Sequence, residues 1–522
     1  MSFGYDQGVI ANVLVMPDFV KRWPITALQI GAMTAILELG ALVGALSAGI
    51  YADRYSRRHS IFFACITFCI GSLFQCGAQS LSDLFIGRAI GGIGVGALST
   101  LSPLYMAEIS PPELRGSLTA LEQFSIVLGV VFGFWTGFFT RSIPSSFSWR
   151  IPLAIQLIPG IILALGVIYL PPSPRLLVLQ GRYDEAFQSL ARLRAIPGSQ
   201  PSDTVTDTTS DRLDPVLQIE LLEMKVEAAL VQRLNLLLHD PDTDGDDASS
   251  GGRTNGKLAF RSEWGAWKRL FSRGYRERTL IGVLIMAFQQ WSGINALLYY
   301  GPILVRSVGL GSGKGSGGDD TVMLMVSGGI GIVQFLSVVP VIIVIDRLGR
   351  KPLLRFGGIV TSLSHLCIAI LAYLFSDDWA QHRSAAWICV GCMYVFTAAY
   401  GVSLGPIGWV LPSEIFPLSM RSKGVALSTA SNWINNFLIG LATPVMMETS
   451  PTITFGTFSL ACFLSYLWST YFVPETANVS LEEMDAVFDD RVGTTDEVVR
   501  AQIEEDLGLR GLIKELAAER GA

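Results

Sequence analysis

The chain has 522 residues, 50% of them hydrophobic and only 16% charged, at a mean hydropathy of +0.45. That balance lies outside the range of soluble globular domains and reads as a membrane protein in contact with a lipid bilayer. The net charge of −6 collects in the segment 197–260 and in the tail after 474, so it points to no nucleic-acid partner.

About 20 mostly apolar residues cross a bilayer as a helix. Twelve such stretches follow one another, near 1–20, 30–51, 60–79, 83–106, 118–140, 151–170, 279–305, 321–345, 352–375, 385–411, 424–447 and 453–473. The first carries Asp6 in "GYDQGVI". A carboxylate in a span costs at least a few kcal/mol, so it is a functional candidate by default and needs a cavity or a partner. Arg88 in "FIGRAIGG" of the fourth span is the available partner. The glycine-rich "GGIGVG" at 91–96 in that span reads as close helix packing. All seven cysteines fall inside predicted spans and read as small buried apolar residues, "CVGC" at 389–392 included.

Arg54, Arg57 and Arg58 follow span two, Arg347, Arg350 and Lys351 follow span eight, and Arg421 and Lys423 precede span eleven. Short loops rich in Arg and Lys stay cytoplasmic, which places both termini and the 171–278 segment inside. The sequon "NVS" at 478–480 then lies on the wrong side to be glycosylated. Within the middle segment, 171–194 and 215–238 have amphipathic helical spacing, whereas "IPGSQPSDTVTDTTSD" and "DPDTDGDDASSGGRTNGK" read as solvated linkers. The predicted organisation is a six-helix bundle over 1–170, a linker with intracellular helices over 171–278, a second six-helix bundle over 279–473 and a cytoplasmic tail over 474–522.

The two halves repeat. "DRYSRR" at 53–58 recurs as "DRLGRK" at 346–351, and Glu108 precedes Arg115 by seven residues as Glu414 precedes Arg421. Parallel six-span repeats are the layout of a rocker transporter whose site lies at the midplane between them. Asp53, Arg54, Arg57, Glu108 and Arg115 in one half, and Asp346, Arg347, Arg350, Glu414 and Arg421 in the other, sit at cytoplasmic helix ends. They are expected to form charge-assisted hydrogen bonds that hold the inner ends of the halves together in one state and dissolve in the other.

"GYDQGVI", "DRYSRR", "GRAIGGIGVG", "PLYMAEISPPELRG", "PPSPR", "QQWSGIN", "DRLGRK", "PSEIFPLSMR", "NWINNF" and "PETANVSLEEMD", in this order over nearly the whole chain, resemble the sugar porter family of the major facilitator superfamily. The long 197–260 insertion is similar to that of fungal members. The resemblance implies an all-α membrane protein with the major facilitator fold, twelve transmembrane helices in two six-helix halves with intracellular helices. It implies a monomeric sugar importer of the plasma membrane, working by alternating access without a cofactor. Asp6 and Arg88 match an acid–arginine pair that proton-coupled members use, so a proton is the expected second substrate. Arg175 and Glu475 match positions at which intracellular helices join the inner charge network. Gln123, Gln289, Gln290, Asn295, Trp409 and Asn436 match sugar contacts, with Trp409 as the apolar floor under a pyranose ring.

Carboxamides offer donors and acceptors together, which suits the hydroxyls of a neutral sugar. Gln289 and Asn295 are six residues apart, a turn of about 600° on a straight helix, so one face cannot carry both. Gly293 between them permits a break that turns both amides inward. The chain departs from the family pattern at several points. Pro172 replaces a glutamate in the first intracellular motif, and Gln334 and Gly401 stand where many hexose carriers have Asn and Glu. Leu404 and Gly408 replace prolines of span ten, and the first span is short of the family's length ahead of Asp6. The pocket is accordingly expected to be roomier and less acidic than a glucose site, which leaves polyol, quinate-like acid and disaccharide open beside a monosaccharide.

"GLGSGKGSGG" at 309–318 evokes a phosphate loop but fails its pattern, because Gly315 follows Lys314 and Val308 stands where the first glycine is needed. An enzyme would need a nucleophile and base or metal ligands at the midplane. His59, His239, His365 and His382 are scattered, and no metal site is expected. A sugar sensor that does not transport shares the transporter fold. Such proteins often add a long signalling tail, and transport is the preferred reading.

Overall fold

The computed structural model describes residues 1–54, 56–109, 115–194, 215–237, 265, 267–272, 275–308, 317–376, 378–379, 381–416, 420–477, 488, 492–509 and 511. The linkers 197–214 and 240–257, the sequon at 478–480 and the phosphate-loop decoy at 309–316 lie outside them.

The described regular structure is helical. The first half comprises α1 (Ser2–Val13), α2 (Pro17–Arg22), α3 (Ala27–Arg54), α4 (Arg57–Gly77), α5 (Leu81–Ile109), α6 (Arg115–Thr140), α7 (Phe147–Ile155) and α8 (Leu157–Tyr169). Three intracellular-type helices follow, α9 (Pro174–Leu179), α10 (Tyr183–Arg194) and α11 (Pro215–Leu237). The second half comprises α12 (Arg276–Trp291), α13 (Ile294–Ser307), α14 (Gly317–Leu348), α15 (Arg350–Phe375), α16 (Arg383–Val402), α17 (Leu404–Ile415), α18 (Arg421–Thr449) and α19 (Pro451–Tyr471), and α20 (Val492–Asp506) belongs to the tail. Taking α1 with α2, α7 with α8, α12 with α13 and α16 with α17, each half crosses six times. Among the described residues, nine of these twelve units are long and apolar enough to cross a membrane.

The outer surface is not that of a soluble bundle. Phe63, Phe139, Leu165, Leu363 and Tyr373 are exposed, whereas Gln75, Gln156, Asn432 and Asn436 are buried within a largely apolar core. Hydrocarbon solvent selects an apolar surface, and polar groups find partners only inside. The "GGIGVG" stretch packs as expected. A methyl on Gly92 or Gly96 of α5 would strike the Leu37 and Ala41 carbonyls of α3, so only glycine allows these backbones to touch.

The predicted spans differ from the helices at four places, of which span six is divided at Gln156 between α7 and α8. Span one ends as a helix at Val13, and Pro17 opens the separate α2 at its first turn, where a missing N–H costs nothing. Span seven breaks at Gly293, which has the left-handed φ of 88°. Span ten breaks at Ser403, whose φ of −129° and ψ of −96° are not helical.

The halves meet along one side of the molecule, toward the ends remote from Arg57 and Arg350. There Arg141 of α6 donates to Thr321 of α14 at 2.9 Å, and Gly31 of α3 lies against the Leu441 backbone of α18. At mid-depth Phe3 meets Trp433 at 5.2 Å between ring centroids, and Phe124 meets Phe335 at 4.9 Å. Helices α9, α10 and α11 pack through Leu177, Val178, Ala186, Leu190, Met224 and Ala228 beneath the first half, and α20 joins α11 through Val226, Leu230 and Ile503.

Candidate functional site

Asp6 and Arg88 meet inside the first half. Arg88 Nη2 lies 3.3 Å from Asp6 Oδ2 and Nη1 3.5 Å from Oδ1, with both side chains 2% exposed. The shorter bond of Arg88 is to the backbone, from Nε to the Met33 carbonyl of α3 at 2.7 Å. The guanidinium is thus anchored on α3 and reaches Asp6 with long contacts, an arrangement that can release the acid without losing its own place.

The break at Gly293 builds the next part. It brings Asn295 back onto Gln290, whose Oε1 accepts from Asn295 Nδ2 at 2.5 Å. The expected partner, Gln289, does not join them. Gln289 Nε2 donates to the Leu404 and Gly405 carbonyls at 3.0 and 2.9 Å, and its Oε1 accepts from Asn432 at 2.7 Å. Leu404 and Gly405 open α17 just after the Ser403 break, so Gln289 ties α12 to α17 and α18. The helix break turns one amide of the predicted pair inward and leaves the other in the packing of its own half.

Tyr299, one turn beyond Asn295, is the centre of a polar network. Its hydroxyl accepts from Gln7 at 3.0 Å and from Asn436 at 3.2 Å, and donates to Glu38 Oε1 at 2.5 Å. Gln7 also reaches Asn295 Oδ1 at 3.4 Å. Gln7 and Glu38 belong to the first half and Asn295, Tyr299 and Asn436 to the second, so the network crosses the boundary between them. Asn436, Asn295 and Gln290 therefore lie together; Gln123 and Gln334 flank the Phe124–Phe335 contact on α6 and α14, with Gln334 4% exposed and Gln123 half-buried. Trp409 is half-buried on α17, beside Gly408, which faces the Gln289 amide. Gln7, Glu38, Tyr299 and Asn432 were not among the sequence candidates. Glu38 had the same signal as Asp6, a carboxylate in a predicted span; Gln7 follows Asp6 directly.

The charged ends are organised within each half. Arg57 of α4 binds Glu108 of α5 through Nη2 at 3.0 Å and Nε at 3.1 Å, and the Ser173 hydroxyl that caps α9 donates to the same carboxylate. Arg350 of α15 binds Glu414 of α17 at 2.7 Å, and Thr476 donates to the other Glu414 oxygen at 2.6 Å. Glu475 accepts from the backbone amides of Arg350 and Lys351 at 2.8 and 3.0 Å, satisfying free N–H groups at the start of α15. Arg347 is exposed and makes no ion pair among the described residues, because the turn at Gly349 puts Arg350 toward Glu414 instead. Arg175 pairs with Glu227 of α11 at 3.1 Å and does not reach the Arg57–Glu108 pair. The side chains of Asp53, Arg54, Arg115, Asp346 and Arg421 lie outside the described residues. Among the described residues, the ion pairs Arg57–Glu108, Arg175–Glu227 and Arg350–Glu414 at this end each join helices of one half or its intracellular helices.

Two six-crossing halves and a polar network between them at mid-depth, beside a buried ion pair, define a membrane carrier. The family profile described as "Sugar (and other) transporter" matches residues 1–215 and 246–488. The chain belongs to this sugar porter family of the major facilitator superfamily, and the relatives named below are transporters and a glucose sensor, not enzymes. It is 30% identical over 498 residues to the probable polyol transporter 6 of Arabidopsis thaliana, covering 93% of this chain and 91% of that one. It is 28% identical to the low-affinity glucose transporter HXT1 of Saccharomyces cerevisiae, covering 93% and 79%. It is also 31% identical to the high glucose sensor RGT2 of the same yeast, covering 93% of this chain and 59% of the sensor. Among solved structures, the proton:xylose symporter XylE bound to 6-bromo-6-deoxy-D-glucose aligns with a TM-score of 0.70 at 25% identity, covering 93% and 96%.

Proposed function

We propose that the protein imports a monosaccharide together with a proton by alternating access, with both termini and the charged helix ends in the cytoplasm of a plasma-membrane carrier. The observation that carries this reading is the network Gln290–Asn295–Gln7–Tyr299–Asn436 between the halves, next to the buried Asp6–Arg88 pair. In the closed arrangement these amides bond one another and Tyr299, while Asn436 Oδ1 is buried with no hydrogen-bond partner among the described residues. A sugar entering between the halves replaces those bonds with its own hydroxyls, at little net cost because each donor and acceptor keeps a partner. Gln123, Gln334 and Trp409 complete the lining from α6, α14 and α17, with the indole face under the ring.

Protonation of Asp6 weakens its long contacts to Arg88, which stays on the Met33 carbonyl, and lets the loaded halves rock. The names of XylE, a proton:xylose symporter, and of a yeast glucose transporter support this assignment of substrate and ion. The sensor reading rests on the likeness to RGT2, of whose length the chain covers 59%.

The test is uptake into proteoliposomes across an imposed pH gradient, with labelled hexoses, pentoses and polyols. Accumulation of one sugar above its equilibrium level, abolished by a protonophore, is the expected result. Binding of that sugar without any uptake or exchange would establish the sensor reading in its place.

A further inference from the structure

Proton coupling through Asp6 leaves a second buried acid of the same region, Glu38, without a role. Glu38 is fully buried on α3, five residues beyond the Met33 carbonyl that holds Arg88. Its Oε1 accepts from Tyr299, while its Oε2 is buried with no hydrogen-bond partner among the described residues. No Lys or Arg lies within ion-pair distance of it among the described residues. The charged and titratable groups that face it are Asp6 from α1, Arg88 from α5, and Tyr299 and Tyr300 from α13.

Counting charge decides what the cluster needs. Asp6 and Glu38 as carboxylates with one guanidinium carry a net charge of −1 in an interior sealed from water, and one added proton makes the group neutral. Burying net charge in such a place is costly, whereas a neutral acid or a matched pair is tolerated. The orphan Oε2 of Glu38 is where a proton can sit without breaking the Tyr299 bond, since Tyr299 already gives its hydrogen to Oε1.

Resting on the proton-coupled reading above, we propose that the transported proton is held by an acid pair, Asp6 and Glu38, instead of by Asp6 alone. Tyr299 makes occupancy of that pair part of the closure between the halves. With the halves closed on this side, Tyr299 of the second half seals Glu38 of the first, and the sealed cluster holds one proton. When α13 withdraws, Tyr299 leaves, water reaches Glu38 and the proton exchanges with that side. Closure and proton binding are then linked through one hydrogen bond between the halves.

The test pairs spin labels at Leu28 and Glu448, exposed sites on α3 and α18 near the closed side, in purified protein in lipid nanodiscs. In the parent, lowering the pH from about 8 to about 5 should raise the short-distance population severalfold. Charge counting makes Glu38→Gln and Asp6→Asn alike, because each leaves one carboxylate with Arg88, neutral without a proton. Both should be closed to the same extent at every pH, and sugar-driven proton uptake by either in proteoliposomes should fall at least tenfold while exchange continues. Tyr299→Phe keeps the charge count and removes the bond, so it should open at every pH yet keep a pH response; it also tests the link if Glu38→Gln gives no monodisperse protein. Proton uptake and pH response in Glu38→Gln equal to the parent's, or closure in Tyr299→Phe equal to the parent's, would overturn the acid pair. Undiminished proton-driven accumulation by Asp6→Asn would instead remove the reading on which it rests.

Discussion

Arg57 grips Glu108 with two of its nitrogens, and both residues belong to the same half of the carrier. Arg350 and Glu414 repeat the arrangement in the other half. These pairs brace the charged end of each bundle as a rigid body, which a rocking motion requires, and among the described residues bonds that cross between the halves lie at Tyr299, at Gln7–Asn295 and at Arg141–Thr321.

Arg57→Ala removes the partner of a nearly buried Glu108 and leaves it with the Ser173 hydroxyl. Breaking a buried pair from one side costs about 3–5 kcal/mol. The midpoint of thermal aggregation in detergent should fall clearly below that of the parent, and Glu108→Gln in the same background should recover part of it. Exposed Arg347→Ala should leave the midpoint unchanged.

Asn295→Ala and Gln289→Ala separate binding from packing. Asn295 joins Gln290 and Gln7 at the boundary, so its loss should weaken sugar binding by about 1–3 kcal/mol with normal stability. Gln289 serves two carbonyls and Asn432 within its own half, so its loss should lower stability first. Calorimetric affinity beside melting of the same preparations distinguishes the two; equal effects on both quantities would return Gln289 to the binding site.

Gly293→Ala places a side chain at φ 88° and its Cβ 2.8 Å from the Phe458 ring. Holding a non-glycine residue there costs about 1–3 kcal/mol, and the ring must move as well. Lower yield and a lower melting midpoint are expected, with slower exchange of whichever sugar the parent carries. Gly391→Ala, which would meet nothing within 4 Å, is the control that should behave as the parent.

Asp6→Asn keeps the shape of the side chain and removes its charge. Accumulation against a sugar gradient and sugar-induced alkalinisation of the medium should both disappear, while exchange of labelled for unlabelled sugar continues, since exchange needs no net proton movement. A pH electrode and a filtration assay on the same vesicles measure both.

Sequence alone determined the solvent, the class and the family, because a bilayer imposes a length and a polarity on every crossing and the repeated "DRYSRR" and "DRLGRK" mark two halves. It also picked out Asp6 with Arg88, since an acid in a span needs a partner and the chain offers few, and the break at Gly293, which only glycine adopts readily. Tertiary structure decided the rest. That Gln290 and not Gln289 meets Asn295 depends on how far the backbone turns after Gly293, and that Gln289 is spent on Leu404 and Gly405 depends on the packing of a helix more than a hundred residues away. Whether Arg57 reaches its own half or the other, and whether Glu38 finds Tyr299, are matters of helix packing across long separations in the chain. A sequence shows which polar groups must be satisfied in a membrane; only the packed structure decides by whom.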